Sequence, residues 1–291
     1  MEKTIKGKEV IAYKGMNSDM SCRDFQYEIG KTYKTDKAEL CECGFHACLN
    51  PRDVLDYYSH YRASRFFKVL LSGEITKCEC EDTKVAATEI TILEEITDNF
   101  NEVIENTEWW KNDGVLDLLC YSAGFAKIER GDYLYNFIDK NGKYLSDEWF
   151  YGAYSFNQGF AIIQRRDYLF NLIDNQGKLL SDEWFKDANY FNEGFAKVRR
   201  GDELWNFIDK NGIYLSDEWF RWVHDFHKGL AIVRRSDWLF NYIDKNGNYL
   251  SDEWFKDAYY FHKGLAKVQK TNNCWYEIDT SGKVVNSVHI S

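Results

Sequence analysis

Apolar and polar positions follow a regular pattern in the C-terminal two-thirds of the chain, which is clearest around residue 200. The runs 195–200 and 204–208 predict two strands joined by a tight turn. An Asp-Lys-Asn-Gly stretch follows from Asp209, and Asn-Gly tolerates the positive φ that a type I′ hairpin turn requires. Residues 213–215 then lead into a Ser-Asp-Glu-Trp-Phe tag that begins at Ser216. The pattern therefore predicts a three-stranded meander followed by a loop.

This unit recurs with a step of 35 residues. A Gly-(Phe/Leu)-Ala tag begins at Gly124, Gly159, Gly194, Gly229 and Gly264. The Ser-Asp-Glu-Trp-Phe tag recurs at Ser146, Ser181, Ser216 and Ser251. A unit of this size cannot bury its own apolar face, so its copies must stack on one another. We expect an all-β array of five repeats over residues 112–291. Because a propeller blade usually has four strands, three strands per unit favour an open, solenoid-like superhelix over a propeller.

The first 97 residues have no such repeat, and they predict a compact α+β domain. Strands are predicted at residues 10–13, 66–71 and 85–92, with a short strand or turn at 44–48. A helix is predicted to begin at Pro51, because Asn50 is a good N-cap and proline suits the first helical position. Residues 98–111 form an acidic connection, in which Glu108 and the next residue are a degenerate copy of the Glu-Trp tag that would cap the array.

Charge and composition narrow the possible partners. The 291 residues carry a formal net charge of −10, which argues against binding to nucleic acid or to an anionic membrane, since both need a basic face. Apolar runs stay well short of the ~20 residues of a membrane span. The N-terminus has no apolar segment typical of a signal peptide. We therefore expect a cytoplasmic protein.

Six of the eight cysteines lie in the first 80 residues. In the cytoplasm we expect them to be reduced thiols. Two Cys-X-Cys pairs, Cys41 with Cys43 and Cys78 with Cys80, offer an alternative, because residues two apart on a strand face the same side and two such pairs could close a tetrahedral zinc site. Structural zinc sites mostly use wider Cys spacing, so reduced thiols are favoured over zinc.

Stacked repeats turn equivalent positions into ladders, and one of these ladders is basic. Its members are Arg130, Arg165, Arg200, Arg235 and Lys270. Two interpretations are open. The cations could pair with carboxylates of an adjoining unit or simply solvate a strand edge, which is the favoured reading because exposed ion pairs contribute only about 0–1 kcal/mol each. Alternatively, they could form a stripe that binds an anion or a partner.

The repeats resemble the WG-repeat family of short β repeats over about residues 120–286. The resemblance is carried by Gly194-Phe-Ala-Lys-Val and Phe207-Ile-Asp-Lys-Asn-Gly. Where that family has Trp-Gly, this chain keeps the aromatic residue but not the glycine, as in Trp205-Asn206. The resemblance implies an interaction scaffold.

The N-terminal domain shows two further resemblances. The stretches Cys22-Arg-X-Phe-Gln-Tyr-Glu and Gly44-Phe-His-Ala-Cys-X-Asn-Pro resemble a domain of bacterial and phage proteins to which no activity is attached. Tyr13-Lys-Gly followed by the Gly44 stretch also resembles small ADP-ribosyltransferase-like domains. That resemblance implies catalytic roles for Lys14, His46 and Glu89 and NAD as the cofactor, although Lys14 stands where the family has His or Arg, and His46 where it has Tyr.

Taken together, these patterns predict a non-enzymatic binding protein of bacterial or phage origin without a cofactor. Its repeats would present a surface to a protein or small-ligand partner. The alternative is an ADP-ribosyltransferase-like effector whose repeats select the target, which requires Lys14, His46 and a glutamate to meet in one cleft. The oligomeric state stays open.

Overall fold

A computed structural model describes residues 2–40, 42–58, 65–78 and 83–288. The chain is mostly β and divides into two compact units, Met1–Trp149 and Phe150–Ser291. The strands of the N-terminal part of the first unit are β1 (Glu2–Lys6), β2 (Val10–Met16), β3 (Ser21–Cys22), β4 (Phe25–Gln26), β5 (Thr32–Lys34), β6 (Phe45–Cys48), β7 (Arg65–Cys78) and β8 (Lys84–Glu95).

Six of these strands form one antiparallel sheet in the order β1-β7-β2-β6-β8-β5, while β3 and β4 form a separate hairpin. Strand β7 also pairs with β8, so β7, β2, β6 and β8 make a closed ring of strand pairs. The ring closes because β7 pairs with β2 up to Leu71 and also pairs with β8 from Phe67 to Lys77. Aliphatic side chains such as Val10, Val69 and Ile90 fill the interior.

The helical part of the predicted α+β domain is smaller than expected. Within residues 1–97, the described helical segments are a six-residue 3-10 helix at Pro51–Asp56 and the start of a short 3-10 turn at Thr97–Asn99. The predicted cap is present, because Asn50 Oδ1 accepts a hydrogen bond of 3.1 Å from the Arg52 amide. The domain is therefore mainly a β structure.

The acidic connection predicted at residues 98–111 folds onto the first unit. It contains α1 (Phe100–Asn106) and a 3-10 turn at Trp109–Lys111, and α2 (Val115–Leu118) follows. Trp109 and Trp110 are buried in the same core as the sheet, and the Phe100 ring stacks on Phe66 at 3.9 Å. These aromatic side chains explain why the compact unit continues to Trp149, well beyond the composition shift.

The first repeat contributes the hairpin of β9 (Ala126–Glu129) and β10 (Tyr135–Ile138) to the first unit. In the second unit, four repeats each form a small antiparallel sheet. Their strands are β11 (Gly152–Ala153), β12 (Phe160–Gln164), β13 (Phe170–Asp174), β14 (Asp187–Ala188), β15 (Phe195–Arg199), β16 (Trp205–Asp209), β17 (Trp222–Val223), β18 (Leu230–Arg234), β19 (Phe240–Asp244), β20 (Asp257–Ala258), β21 (Leu265–Gln269), β22 (Trp275–Asp279) and β23 (Val284–Val288).

The third strand of each repeat is not where the sequence placed it. Residues 213–215 were expected to continue the meander, but they make a single bridge between Ile208 and Tyr214. The third strand is instead the two-residue β14, which precedes the hairpin and pairs with β15. The chain leaves the sheet after Leu215, where the buried Asn206 side chain bonds to the carbonyl of Ser216, and it returns at Phe220, which pairs with Trp205.

The type I′ turn predicted at Asp209 is also wrong. Asp209 Oδ1 accepts hydrogen bonds of 2.8 and 2.9 Å from the amides of Asn211 and Ile213, which is an Asx-type turn. Only Gly212 of the Asn-Gly pair has a positive φ, of 82°. A Cβ at Gly212 would lie 2.3 Å from the carbonyl oxygen of Leu180 in the preceding repeat. The glycine therefore serves both the turn and the close approach of two repeats.

Candidate functional site

The first unit contains a cavity of about 520 Å³ beside β2, the β3–β4 hairpin and β6. Its described lining residues are Tyr13, Lys14, Gly15, Cys22, Arg23, Asp24, Phe25, Tyr27, Gly44, Phe45, His46, Ala47, Cys48, Val54, Tyr57, Tyr58 and Lys84. The three stretches that carry the sequence resemblances, which begin at Tyr13, Cys22 and Gly44, therefore meet at one place. The pairing of Tyr13 with Cys48 joins two of them directly.

A buried ammonium group lies in the cavity wall. Lys14 is 5% exposed, and its Nζ donates a hydrogen bond of 2.7 Å to the backbone carbonyl of His46. The same Nζ lies 5.4 Å from the centre of the Tyr27 ring. Burial lowers the pKa of Lys14 because it penalises the charged form. Among the described residues, no carboxylate forms an ion pair with this lysine.

The His46 side chain is half-buried at the same cavity. Burial, together with the positive charges of Lys14, Lys84 and Arg23, lowers the pKa of His46 to about 4. The imidazole is therefore neutral near pH 7 and is surrounded by cations.

A thiol and a phenol form a pair at the side of the cavity. Cys22 Sγ and Tyr58 Oη are 2.7 Å apart, and burial is the main reason that the pKa of Tyr58 is raised. The ring of Tyr58 packs directly on Gly15, where an added Cβ would lie 2.5 Å from Cγ of the ring. Glycine is therefore required in the Tyr-Lys-Gly stretch to admit this aromatic side chain.

The three residues named for the enzyme hypothesis do not converge. Lys14 and His46 line the cavity, but Glu89 on β8 is not among its described lining residues. Glu89 accepts hydrogen bonds from Lys34 at 2.9 Å and from Ser72 at 3.1 Å, and these partners lower its pKa. Among the described lining residues, the one carboxylate belongs to Asp24. Among the described lining residues, none is the glutamate that the hypothesis needs.

Most of the proposed zinc ligands lie outside the described residues. Cys41, Cys80 and the side chain of Cys78 lie outside the described residues, and Cys43 is a half-buried free thiol. Within the described ranges, no three His, Cys, Asp or Glu side chains are grouped so as to hold a metal ion.

The arginines of the basic ladder are held inside their own repeats. Each donates two hydrogen bonds to the aspartate two residues later, the pairs being Arg130–Asp132, Arg165–Asp167, Arg200–Asp202 and Arg235–Asp237. Each guanidinium also lies over the ring of a tag tryptophan. The distances to the ring centre are 4.5 Å for Arg130 and Trp149, 4.4 Å for Arg165 and Trp184, 4.3 Å for Arg200 and Trp219, and 4.0 Å for Arg235 and Trp254. Lys270 instead pairs with Glu253 at 2.7 Å. The carboxylate partners of the arginines thus come from the same turn and not from an adjoining unit.

Sequence reasoning missed a set of exposed aromatic side chains on these same turns. Tyr133, Tyr168 and Trp238 stand third after the ladder arginine, with φ of 61°, 64° and 71° and exposures of 62%, 63% and 59%. Repeats three and five have Glu203 and Asn273 at this position. The sequence does contain a signal for this set: one position of the turn varies between aromatic and polar residues from repeat to repeat.

Comparison with known families supports two of the three resemblances, the WG repeat and the domain without an attached activity, and it does not support the ADP-ribosyltransferase-like one. Residues 242–274 match the model of the WG containing repeat. Residues 10–104 match the model of a domain of unknown function, DUF7666. The second match covers every described lining residue of the cavity. No curated protein matches the chain.

Solved structures share only a distant likeness with the chain. The computationally designed Ika8 protein has 13% identity and a TM-score of 0.29, over 58% of this chain and 60% of that chain. BamB from Moraxella catarrhalis has 10% identity and a TM-score of 0.29, over 58% and 62%. The WD40 beta propeller domain of Doa1 has 13% identity and a TM-score of 0.25, over 59% and 67%. In the described part of the chain, no helix is long and apolar enough to cross a membrane.

Proposed function

We propose that the chain is a non-enzymatic interaction protein whose β repeats present exposed aromatic side chains to a protein partner. The observation that carries this proposal is the conformation of Tyr168 and Trp238. Both are bulky residues in the left-handed region, with φ of 64° and 71°, at turns whose tips are exposed. A residue other than glycine in this region costs on the order of 1–2 kcal/mol. Asn273 occupies the same position in repeat five, so the turn itself does not need an aromatic residue.

Both side chains are supported from one side and exposed on the other. The Trp238 ring lies 4.5 Å from the Arg234 guanidinium, and the rings of Tyr168 and Tyr151 are 5.3 Å apart. Support of this kind limits the conformational entropy that binding would remove. Tryptophan, tyrosine and arginine are also the residues most often found at the energetic centres of protein interfaces. The two turns are therefore suited to hold a partner protein.

The other parts of the function proposal follow from the sequence and from the site. An acidic chain fits a protein partner better than nucleic acid or an anionic membrane. The proposal includes no cofactor. The NAD hypothesis requires a glutamate beside Lys14 and His46, whereas Glu89 is hydrogen-bonded to Lys34 and Ser72 and is not among the described lining residues of the cavity. NAD would become relevant only under the ADP-ribosyltransferase hypothesis. The bacterial or phage origin and the cytoplasmic location belong to this proposal as well.

We extend the proposal to an open arrangement of the repeats, since each of the sheets β11–β13, β14–β16 and β17–β19 has three strands and one of them has two residues. A chain that ends at Phe255 tests it. In an open array each repeat depends on its neighbours, so amide hydrogen exchange in β12 and β13 should stay unchanged. Faster exchange there would indicate that the last repeat closes a ring onto the second.

The partner proposal is tested by quantitative co-purification from the native cells. Tyr168→Asn combined with Trp238→Asn keeps a residue type that the same turn already carries in repeat five. We expect this double variant to fold normally and to lose at least nine-tenths of the co-purifying partner. Glu203→Asn is the matched control, because it changes the same turn position without removing an aromatic ring, and it should retain the partner. Equal recovery with all three proteins would overturn the proposal.

A further inference from the structure

We propose that the cavity in the first unit binds a small anion that carries a planar ring, with the anionic group, a phosphate or a carboxylate, beside Lys14 and His46 and the ring against Phe25, Tyr27 and Phe45. This site does not depend on the partner surface of the repeats. It goes beyond the family matches, since no activity is attached to the domain that matches residues 10–104.

The first argument is the burial of the Lys14 amine without a carboxylate partner among the described residues. Removing an ammonium group from water costs several kcal/mol unless an opposite charge and hydrogen bonds replace the water. Here the described partners are the His46 carbonyl, at 2.7 Å, the Cys22 side chain, and the face of the Tyr27 ring, at 5.4 Å. None of these partners is a carboxylate. An anion in the cavity would supply the missing counter-charge.

The second argument is that further cations line the same cavity. Arg23 is exposed, has a left-handed φ of 54°, and has no carboxylate partner among the described residues. Non-glycine residues in this conformation are concentrated at ligand-binding sites. Lys84 also lines the cavity, and its Nζ lies 4.4 Å from the centre of the Tyr57 ring. The positive charges of Lys14, Arg23 and Lys84 all lower the pKa of His46, so all three cations lie near the same imidazole.

The third argument is the shape and chemistry of the remaining wall. Phe25 is 40% exposed, and its ring centre lies 4.7 Å from that of Tyr27 and 5.6 Å from that of Phe45. These rings form an apolar surface next to the cations. A volume of about 520 Å³ is within the roughly 300–1,000 Å³ range of small-molecule sites and is far larger than a phosphate ion needs. The cavity therefore suits a ligand with a charged end and a ring.

Calorimetric titration of the full chain tests the proposal with four probes: phenyl phosphate, benzoate, inorganic phosphate and benzyl alcohol. We expect saturable binding of phenyl phosphate, of benzoate or of both, and the stronger of the two identifies the anionic group. Inorganic phosphate and benzyl alcohol should bind at least tenfold more weakly, since each lacks one half of the ligand. No saturable binding of either aromatic anion, or equal binding of benzyl alcohol, would overturn the proposal.

Three variants assign the binding to this cavity. Lys14→Met keeps the length of the side chain and should reduce affinity at least tenfold. Arg23→Gln lies on an exposed turn, so it should leave the fold intact while it reduces affinity three- to tenfold and weakens the salt dependence. Lys34→Gln is the control, because Lys34 pairs with Glu89 and does not line the cavity. An affinity that is unchanged by Arg23→Gln and Lys14→Met would exclude this site.

Discussion

The side-chain amide of Asn206 donates a hydrogen bond of 2.7 Å to the backbone carbonyl of Ser216, ten residues later in the same repeat. The same nitrogen reaches the carbonyl of Glu218 at 3.3 Å, and Asn206 Oδ1 accepts a hydrogen bond from the Phe207 amide at 2.8 Å. Equivalent bonds are made by Asn136, Asn171 and Asn241. The asparagine that replaces the glycine of the WG pattern therefore joins the strand to the tag through buried hydrogen bonds.

Loss of the asparagine hydrogen bonds should destabilise the repeats. Asn206→Ala leaves two carbonyls and one amide without their partner, and we expect it to lower the free energy of unfolding by about 2–3 kcal/mol. Asn206→Gly, which restores the residue type of the family pattern, should destabilise by at least as much, since glycine makes none of these bonds. Chemical denaturation followed by tryptophan fluorescence measures both. Asn211→Ala, in the exposed turn, is the control and should change stability by less than about 0.5 kcal/mol.

The contact between Tyr214 and Glu183 links two consecutive repeats. Tyr214 Oη donates a hydrogen bond of 3.0 Å to Glu183 Oε2, and burial, together with this bond, raises the pKa of Tyr214 to about 12 from its ordinary value of 10.0. The phenol therefore ionises more readily in the unfolded chain. Its contribution to stability is complete below pH 10 and is lost as the pH rises from 10 to 12.

Tyr214→Phe should accordingly flatten the fall in stability between pH 10 and 12. At pH 7 the variant should lose about 0.5–1.5 kcal/mol, the usual net value of one hydrogen bond. Urea denaturation at a series of pH values provides the measurement, with the exposed Tyr133→Phe as the control. A profile for Tyr214→Phe that is parallel to the wild type above pH 10 would contradict the assignment.

The packing of Tyr58 on Gly15 predicts a large effect for a small substitution. Gly15→Ala places a Cβ 2.5 Å from the ring, so the ring must move and the Cys22–Tyr58 contact must break. We expect a loss of about 1–3 kcal/mol from overpacking. Gly201→Ala is a matched control, since neither glycine has a positive φ and a Cβ at Gly201 meets nothing within 4 Å. Thermal unfolding that ranks the two variants equally would contradict this description of the cavity wall.

The neutral imidazole of His46 predicts acid sensitivity of the first unit. Its pKa falls to about 4 in the folded chain from the ordinary value of 6.5, so its contribution to stability is present above pH 6.5 and is lost as the pH falls to 4. The effect is roughly 1–2 kcal/mol after allowance for solvent screening of a half-buried ring. His46→Gln should remove this part of the pH dependence, and His227→Gln should not. Denaturation profiles at pH 7, 6, 5 and 4 decide between these outcomes.

The sequence predicted the features of the fold that depend on local patterns. The 35-residue period and the two main strands of each repeat are clear because their turns are fixed by glycine and aspartate, and the observed Phe195–Arg199 and Trp205–Asp209 lie close to the predicted runs. The two-residue strand Asp187–Ala188 is too short to leave a pattern. The extent of the first unit could not be read from an acidic stretch, because it depends on where Trp109 and Trp110 pack.

The candidate site was predictable only in part. The stretches that begin at Tyr13, Cys22 and Gly44 attracted notice through resemblance, and the fold brings them to one cavity. The burial of Lys14 could not be predicted, since it depends on the long-range pairing of β2 with β6 and β7. The position of Glu89 follows from its register opposite Lys34 and Ser72, which strand assignments alone do not define.

The central claim is that exposed aromatic residues on the repeat turns hold a protein partner. Its most direct test is photo-cross-linking in the native cells, with p-benzoylphenylalanine placed at Tyr168, at Trp238 or, as a control, at Asn175, which follows the opposite end of β13 from Tyr168. We expect a discrete cross-linked species from the first two positions and none from Asn175. Absence of that species at both turns, or equal yields at all three positions, would contradict the claim.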